Sequence, residues 1–311
     1  MAIPGSSQNM EASDVTITSR FGLSCAISTP FDAGGNVDVP RLVAHAKDRL
    51  ARGCDSITLF GTTGEGASVG LSARVAVMDA MIKAGIAPRT QLLSTIVASS
   101  IEDAADQAKL ALDAGVRGML LTPPFYFRGV SDDAIFAWFG LLFDRLGGGA
   151  RDMFAYHLPS VTGMPLSIDL IARLKRAFPG VIVGVKDSAA TWSNTQALLN
   201  EHSDLMILVG DERDLAKSVR MGGSGSICGV ANIAPEILIG AAKHGREDAR
   251  IRPVVEAIIA HPVLPGIKAL IAHQKGDPNW ARMRPPMVDL DAAAAAKLSA
   301  SFDKAMTTPL E

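Results

Sequence analysis

The sequence predicts a closed (β/α)8 barrel, also called a TIM barrel, followed by a helical extension at the C-terminus. Short apolar runs alternate with longer amphipathic segments, and this alternation occurs eight times between Leu23 and His244. The short runs are continuously apolar, which is typical of parallel strands that are buried on both faces. Eight strand–helix units are the number from which this barrel is built. A doubly wound open sheet is the alternative α/β fold.

Each predicted strand is a run of four to seven mainly apolar residues, which is the length of a strand rather than of a helix. The strands are predicted at Leu23–Ser28, Ser56–Leu59, Gln91–Val97, Gly118–Leu121, Met153–His157, Val181–Val185, Met206–Val209 and Ser224–Ile227. Each strand is followed by a longer segment with the spacing of an amphipathic helix. These helices are predicted at Val39–Ala51, Leu71–Ala84, Ile101–Ala114, Asp132–Leu146, Ile168–Ala177, Thr191–Glu201, Glu212–Met221 and Pro235–His244.

The strand–helix alternation stops after about Gly245. Helical patterns then follow at Asp248–Ala260, Pro265–Gln274 and Asp291–Ala305. The last of these begins with an alanine-rich run, which favours helix by intrinsic propensity. Because no long Gly/Ser/Pro linker precedes this part, we expect it to pack on the barrel. The predicted organisation is an N-terminal tail at 1–18, the barrel at 19–246 and the C-terminal helical extension at 247–311.

The composition is that of an ordinary globular protein, with 48% hydrophobic and 20% charged residues. A net charge of −2 without a block of Lys or Arg argues against binding to nucleic acid or to a membrane surface. Cys25, Cys54 and Cys228 include no CxxC pair, and the N-terminal residues predict no signal peptide, so a cytoplasmic protein with reduced thiols is expected. The six histidines form no HExxH motif or Cys/His cluster, and no metal site is predicted.

Two reactive side chains stand at the ends of predicted strands, where the active sites of such barrels lie. Lys186 ends the sixth apolar run, and Tyr156 ends the fifth. A buried lysine has its charged form disfavoured, so that a neutral amine can attack a carbonyl group. A neighbouring phenol can then relay protons. From position alone, Lys186 could equally be a surface lysine whose aliphatic stem packs on the protein, and Tyr156 could be a structural tyrosine of the core.

Two glycine-rich loops could bind an anion. The segment Gly61-Thr-Thr-Gly-Glu-Gly66 follows the second strand and offers hydroxyl and backbone N–H groups that suit a carboxylate. The segment Gly222-Gly-Ser-Gly-Ser226 follows the seventh helix. Neither has the spacing of a P-loop or of a dinucleotide-binding fingerprint. Either loop could equally be a plain turn.

Taken together, the motifs resemble those of the dihydrodipicolinate synthase / N-acetylneuraminate lyase family of class I aldolases, from about Phe21 to the end of the chain. The motifs that carry the resemblance are Gly61-Thr-Thr-Gly-Glu65, Tyr156-His-Leu-Pro-Ser-Val-Thr-Gly163, Gly184-Val-Lys-Asp-Ser188 and Gly225-Ser-Ile-Cys-Gly-Val-Ala-Asn232. The combination and order of these motifs are highly specific.

The resemblance implies a role for each matching residue. Lys186 matches the lysine that forms an imine with pyruvate or another 2-oxo acid, and Tyr156 matches the tyrosine that relays protons beside it. Thr62 and Thr63 match the pair that holds the substrate carboxylate, Thr62 being counted with the catalytic residues, and Gly61 belongs to the same loop. A carbonyl that faces the substrate is expected at Ile227. The resemblance also implies a homotetramer and no cofactor.

The sequence departs from the lysine-biosynthetic members of the family at two positions. The arginine that binds the carboxylate of their aldehyde substrate is replaced by Val161, so no guanidinium is available there for a paired interaction. Those members also have a second tyrosine, which is donated across a subunit interface. Phe125 stands at that position here, so the hydroxyl is missing unless the neighbouring Tyr126 supplies it. Either Arg128 or Arg213 could restore a carboxylate site.

Other positions favour a sugar acid. Ser188 resembles the hydroxyl residue that contacts the sugar chain in sialic acid and 2-keto-3-deoxy sugar acid lyases. Glu212 lies in the segment that reads the polyol in those enzymes, although Arg213 stands where sialic acid lyases have a carboxylate. A 2-keto-3-deoxy acid of about five or six carbons is therefore expected to fit better than a nine-carbon sugar.

Four functions follow from this reading. The leading hypothesis is reversible aldol cleavage of a 2-keto-3-deoxy sugar acid to pyruvate and an aldehyde. A dehydratase that acts through the same imine is the first alternative. A 4-hydroxy-tetrahydrodipicolinate synthase and a non-catalytic 2-oxo acid binding protein are less favoured. In each case the expected partners are small molecules.

Overall fold

The predicted TIM barrel is confirmed by a computed structural model, which describes residues 21–309. Eight parallel strands form a closed barrel, in which β1 pairs with both β2 and β8. The strands are β1 Gly22–Ala26, β2 Ser56–Leu59, β3 Leu92–Ile96, β4 Gly118–Leu121, β5 Met153–His157, β6 Ile182–Asp187, β7 Met206–Val209 and β8 Gly225–Cys228. The predicted tail at 1–18 lies outside the described residues.

Helices connect the strands and form the outer layer. Those of the barrel are α1 Val39–Ala51, α2 Leu71–Lys83, α3 Pro88–Gln91, α4 Ile101–Asp113, α5 Asp132–Leu146, α6 Pro159–Thr162, α7 Ile168–Ala177, α8 Trp192–Glu201, α9 Leu215–Arg220 and α10 Pro235–His244. The extension contains α11 Ile251–Ile259, α12 Val263–Lys275 and α13 Ala292–Met306. Side-chain oxygens at several N-caps, such as Ser100 and Ser131, accept a backbone N–H of the first turn.

Three predicted helices begin two or more residues away from the observed start, whereas the other predicted helix boundaries agree to within one residue. The helix predicted at Glu212–Met221 begins with a separate 3-10 turn, Glu212–Asp214, because the Asp211 side chain accepts the N–H of Arg213 and tightens the chain there. The helix predicted from Asp248 begins only at Ile251. The helix predicted from Pro265 begins two residues earlier, since proline is tolerated in a first turn, where its missing N–H would have no helical partner.

Apolar side chains form two layers. One fills the barrel interior and includes Phe154, Leu208 and Ile227. The other lies between the strands and the helices and continues without a break into the extension, where Ile267, Leu270 and other side chains of α12 are buried. The extension is therefore packed on the barrel through a shared core. Within residues 21–309, no single helix is long and apolar enough to span a membrane, and only α11 and α12 taken together, across a bend of 117°, meet that criterion.

Candidate active site

The sequence-predicted site residues converge at the carboxyl ends of the strands. A cavity of about 430 Å³ lies there. The predicted residues that line it are Thr62, Thr63, Tyr156, Val161, Lys186, Ser188, Glu212 and Ile227. Gly61 borders an adjoining cavity of about 210 Å³, which shares Thr62 and Val161 with the first. The structure thus brings together residues from five different strand ends.

Lys186 and Tyr156 form the centre of the cavity. They are opposite each other in the pairing of β5 with β6, and both are buried. The Lys186 Nζ donates to the Tyr156 hydroxyl at 3.2 Å, and the Tyr156 hydroxyl lies 3.3 Å from Thr62 Oγ1. Within the described part of the chain, Lys186 has no carboxylate partner among the ion pairs. An amine, a phenol and an alcohol therefore form one hydrogen-bonded row, along which a proton can move.

The loop that carries Thr62 and Thr63 is tightly wound. Two non-glycine residues that flank them, Phe60 and Glu65, have left-handed backbone angles, with φ of 59° and 54°. Only glycine fits at Gly66, because a Cβ there would lie 1.7 Å from the carbonyl oxygen of Phe60. The loop therefore has a single compact shape, which directs both threonines toward the cavity.

Arg74 holds this loop from the side of the helices. Its buried guanidinium donates to the carbonyl oxygens of Gly66 at 2.8 Å, Val69 at 3.0 Å and Thr95 at 2.8 Å, and it stacks on the Phe60 ring. Burial lowers the pKa of Arg74 to about 10. Three carbonyl acceptors thus replace the water that a guanidinium needs. No feature of the sequence indicates this role, because Arg74 stands in a predicted amphipathic helix like any surface arginine.

A second polar cluster stands behind the Lys186–Tyr156 pair, on the outer face of the strands. The Asp187 carboxylate accepts the Thr195 hydroxyl at 2.7 Å and the N–H of Ala189 at 3.1 Å. His157 Nδ1 lies 4.0 Å from the same carboxylate and 3.4 Å from the Asn194 amide. Burial lowers the pKa of His157, and the Asp187 charge opposes that shift. These contacts fix the ends of β5 and β6, from which Tyr156 and Lys186 project.

The residues predicted to contact the polyol chain, Ser188 and Glu212, also line the cavity. The Ser188 hydroxyl packs so closely on Gly210 that a Cβ there would lie 2.1 Å from it. Glu212 Oε1 accepts the N–H of Val230 at 3.0 Å, and burial raises the pKa of the Glu212 carboxyl. Arg213 donates to both carboxylate oxygens of Asp211, at 2.9 and 2.6 Å. Arg213 is therefore already paired in this structure.

The positions that depart from the family pattern lie near the cavity mouth. Val161 is 56% exposed and borders both cavities, while Phe125 lines the smaller one. Tyr126 is 77% exposed, lies outside both cavities and packs edge-on against Phe127. The guanidinium of Arg128 lies against Gly163. Within this single chain, neither Tyr126 nor Arg128 replaces the group that the family pattern leads one to expect.

One wall of the cavity is not predictable from the sequence. The extension supplies it through apolar side chains of α11 and α12, namely Val255, Ile258, Ile259, Val263, Leu264 and Ile267. The apolar character of this stretch is evident in the sequence, but nothing there indicates which strand ends the helices would cover. Among the described residues, no group of three or more His, Cys, Asp or Glu side chains is arranged to hold a metal ion.

Comparison with known proteins agrees with this architecture. The model of the dihydrodipicolinate synthetase family matches residues 20–305. A crystal structure described as dihydrodipicolinate synthase from Agrobacterium tumefaciens is 48% identical, with a TM-score of 0.89 over 92% of this chain and 99% of that one. A 2-keto-3-deoxygluconate aldolase from Sulfolobus is 20% identical, with a TM-score of 0.79 over 91% of this chain and 95% of that one, and shares the fold.

Curated relatives are more distant in sequence. A DapA-like lyase from Chloroflexus aurantiacus is 28% identical over 93% of this chain and 98% of its own length. A 4-hydroxy-tetrahydrodipicolinate synthase from Streptomyces coelicolor is 31% identical over 70% of this chain and 69% of its own length. Since the family model spans nearly the whole of the barrel and the extension, this chain belongs to the dihydrodipicolinate synthetase family and is a lyase with the TIM-barrel fold.

Proposed function

We propose that this lyase forms a Schiff base through Lys186 and reversibly splits a 2-keto-3-deoxy sugar acid into pyruvate and an aldehyde without a charged tail. The observation that carries the proposal is the 3.2 Å contact between Lys186 Nζ and the Tyr156 hydroxyl, with Thr62 next in the row. A non-catalytic binding protein would need neither an amine nor a phenol at this place. We also propose that the enzyme is a homotetramer and that it is cytoplasmic. Its three buried free cysteines agree with a reducing compartment.

In the proposed reaction, the hydroxyl and amide groups of Thr62 and Thr63 hold the substrate carboxylate. The neutral amine of Lys186 adds to the C2 carbonyl, and loss of water, which takes a proton from Tyr156, gives the iminium ion. Tyr156 then accepts the proton of the C4 hydroxyl while the C3–C4 bond breaks. The aldehyde leaves, and the bonding electrons are held as an enamine. Protonation at C3 and hydrolysis release pyruvate and regenerate the free amine.

Electrostatics at the mouth of the cavity support an aldehyde without a carboxylate. Val161 offers no charge, Arg213 is paired with Asp211, and Arg128 packs against Gly163. A carboxylate on the aldehyde would thus find no cationic partner at the mouth of the cavity, which disfavours such a substrate relative to one with hydroxyl groups. Ser188 and Glu212 instead offer polar atoms that suit hydroxyl groups.

A second candidate is a 4-hydroxy-tetrahydrodipicolinate synthase, which joins pyruvate to aspartate semialdehyde. It is favoured by the name of the Agrobacterium structure and of several curated relatives. This activity would require a cationic group to reach the semialdehyde carboxylate. Arg128, which is exposed, is the residue that could supply it by leaving Gly163.

Two measurements test the proposal. Treatment with pyruvate followed by borohydride should add one pyruvyl-derived mass to the peptide that contains Lys186. The substitution Lys186→Met should abolish this labelling, whereas Lys175→Met, at a surface lysine, should not. With pyruvate as donor, kcat/KM should be at least about tenfold higher for glyceraldehyde or glycolaldehyde than for aspartate semialdehyde. Labelling elsewhere would contradict the mechanism, and a preference for the semialdehyde would contradict the substrate. Release of water without pyruvate from a 2-keto-3-deoxy acid would identify a dehydratase.

A further inference from the structure

A buried ion pair joins the threonine loop to the C-terminal extension. The side chains of Glu65, in the loop, and Lys268, in α12, are 0% and 1% exposed and in direct contact through Glu65 Oε1 and Lys268 Nζ. Lys268 Nζ also donates to the carbonyl oxygen of Arg282 at 2.8 Å. The other carboxylate oxygen of Glu65 accepts the N–H of Arg284 at 3.2 Å. Three segments that are distant in sequence thus meet at one pair of charges.

Fold stability alone does not account for such a pair. Removing two charges from water costs several kcal/mol for each ion, and apolar residues of similar volume often stabilise a protein equally well or better. Burial lowers the pKa of Lys268, and the Glu65 carboxylate opposes that shift. The pair is therefore costly to keep at this place, where neither side chain is more than 1% exposed.

The geometry of the loop shows what the pair controls. Glu65 has a left-handed backbone, and its N–H donates to the carbonyl oxygen of Thr62 at 3.0 Å, which closes the turn that contains Thr63. A glutamate held in this conformation requires support from its surroundings. If the Glu65 side chain loses Lys268, the turn can relax, and the two threonines then move relative to Tyr156.

The other partner stands beside the active-site cavity. Ile267 and Leu264, on the same helix as Lys268, form part of the apolar cavity wall. Ile267 also packs on Gly229, where an added Cβ would lie 2.8 Å from its Cδ1. The ion pair therefore lies between the carboxylate-binding loop and the wall that covers the site, and it sets the spacing of the two.

We propose that Glu65 and Lys268 are positioning residues, which clamp the threonine loop to α12 so that Thr62 and Thr63 are placed to bind the carboxylate of the 2-oxo acid. This inference rests on the proposed function, because it takes the threonines as the carboxylate site. Arg74 holds the following stretch of the loop through Gly66, so the loop keeps its overall path when the pair is removed. Removing the pair is therefore expected to misplace Thr62 and Thr63 without unfolding the loop.

Four variants separate positioning from stability. Lys268→Met and Glu65→Gln each remove one charge, and the double variant removes both and leaves no unpaired ion. Leu298→Ala is the matched control, because Leu298 packs against Gly266 of α12 and is outside the loop contacts described above. For each we would measure thermal stability, the pyruvate concentration that half-saturates borohydride trapping, and the trapping rate at saturation.

Lys268→Met and the double variant should raise the half-saturating pyruvate concentration about tenfold or more, with a smaller change in the saturated rate. The double variant should recover thermal stability relative to Lys268→Met without recovering pyruvate binding. Leu298→Ala should lower thermal stability and leave the half-saturating concentration near that of the wild type. The proposal is wrong if Leu298→Ala and Lys268→Met raise the half-saturating pyruvate concentration equally. It is also wrong if the double variant recovers pyruvate binding together with thermal stability.

Hydrogen exchange of the unliganded protein tests the ion pair independently of the proposed function. Amides at 62–66 should exchange faster in Lys268→Met and in Glu65→Gln than in the wild type, but not in Leu298→Ala. If wild-type Lys186 is not labelled by pyruvate, the proposed function fails, and the exchange data still report on the clamp. Unchanged exchange in both single variants shows that the pair does not hold the loop.

Discussion

Lys186 and Tyr156 show how a site emerges from strand register. Each residue ends its own strand, and the pairing of β5 with β6 places them opposite each other. Side chains on one face of neighbouring parallel strands are close enough to interact, so a short row of hydrogen bonds follows from the pairing alone. Asp187 and His157, the next residues on both strands, point to the opposite face and anchor the strand ends against α8.

Replacing Tyr156 with phenylalanine tests the role of its hydroxyl. The ring should still fill the space beside Lys186, so we expect pyruvate binding to be retained. Loss of the positioned acid–base group should lower the rate of turnover about 10²–10⁴-fold. Steady-state kinetics combined with borohydride trapping would measure both quantities. An unchanged turnover rate would indicate that Tyr126 of another subunit, or water, relays the proton instead of Tyr156.

Much of the site could be predicted from residue types, and some could not. Lys186, Tyr156, Thr62 and Thr63 stand in recognisable motifs at strand ends, and the structure places all four around one cavity. The role of Arg74 depends on three carbonyl groups that are fixed only after folding. No local pattern contains this information.

At the scale of elements, strands were easier to predict than helix boundaries. A strand buried on both faces leaves a continuous apolar run, and all eight strands lie where such runs occur. Helix ends depend on local hydrogen bonds, as with Asp211, whose side chain tightens the chain before α9. The cavity wall from α11 and α12 required knowledge of how these helices cross the barrel, which periodicity does not provide.

A buried histidine between α1 and the extension is expected to lower the stability of the protein in acid. His45 of α1 is buried, its Nε2 lies 3.2 Å from Asn232 Oδ1, and its ring packs at a tilt against Trp280. Burial lowers the pKa of His45 from 6.5 to about 3. As the pH falls below 6.5, the unfolded chain binds a proton at this position that the folded chain does not, so stability is lost progressively down to about pH 3.

His45→Gln should remove this contribution. Between pH 6 and pH 4, the free energy of unfolding should fall less steeply than in the wild type, by up to about 1.4 kcal/mol per pH unit. Urea unfolding at several pH values would measure the two slopes. The same substitution at the exposed His244 controls for the loss of a histidine. Equal slopes in the wild type and His45→Gln would mean that His45 is protonated in the folded protein as well.

At the scale of the whole molecule, the barrel and the extension share both a core and an active site. The apolar layer around the strands continues into α12, and the wall of the cavity comes from α11 and α12. The Glu65–Lys268 pair adds a polar tie at the same boundary. The sequence predicted that the extension packs on the barrel. Its contribution to the chemistry of the site emerges only when both parts are seen together.

A shared core predicts that the barrel and the extension unfold together. The three tryptophans can test this, because Trp280 is buried in the extension, whereas Trp138 and Trp192 lie in barrel helices α5 and α8. One variant, Trp138→Phe with Trp192→Phe, retains only the probe in the extension, and Trp280→Phe retains only the probes in the barrel. Within each variant, urea unfolding followed by fluorescence and by circular dichroism should have the same midpoint, since neither part can expose its apolar face without the other. A fluorescence transition of Trp280 at clearly lower urea than the loss of helical signal would show that the extension detaches first and that the barrel is stable alone.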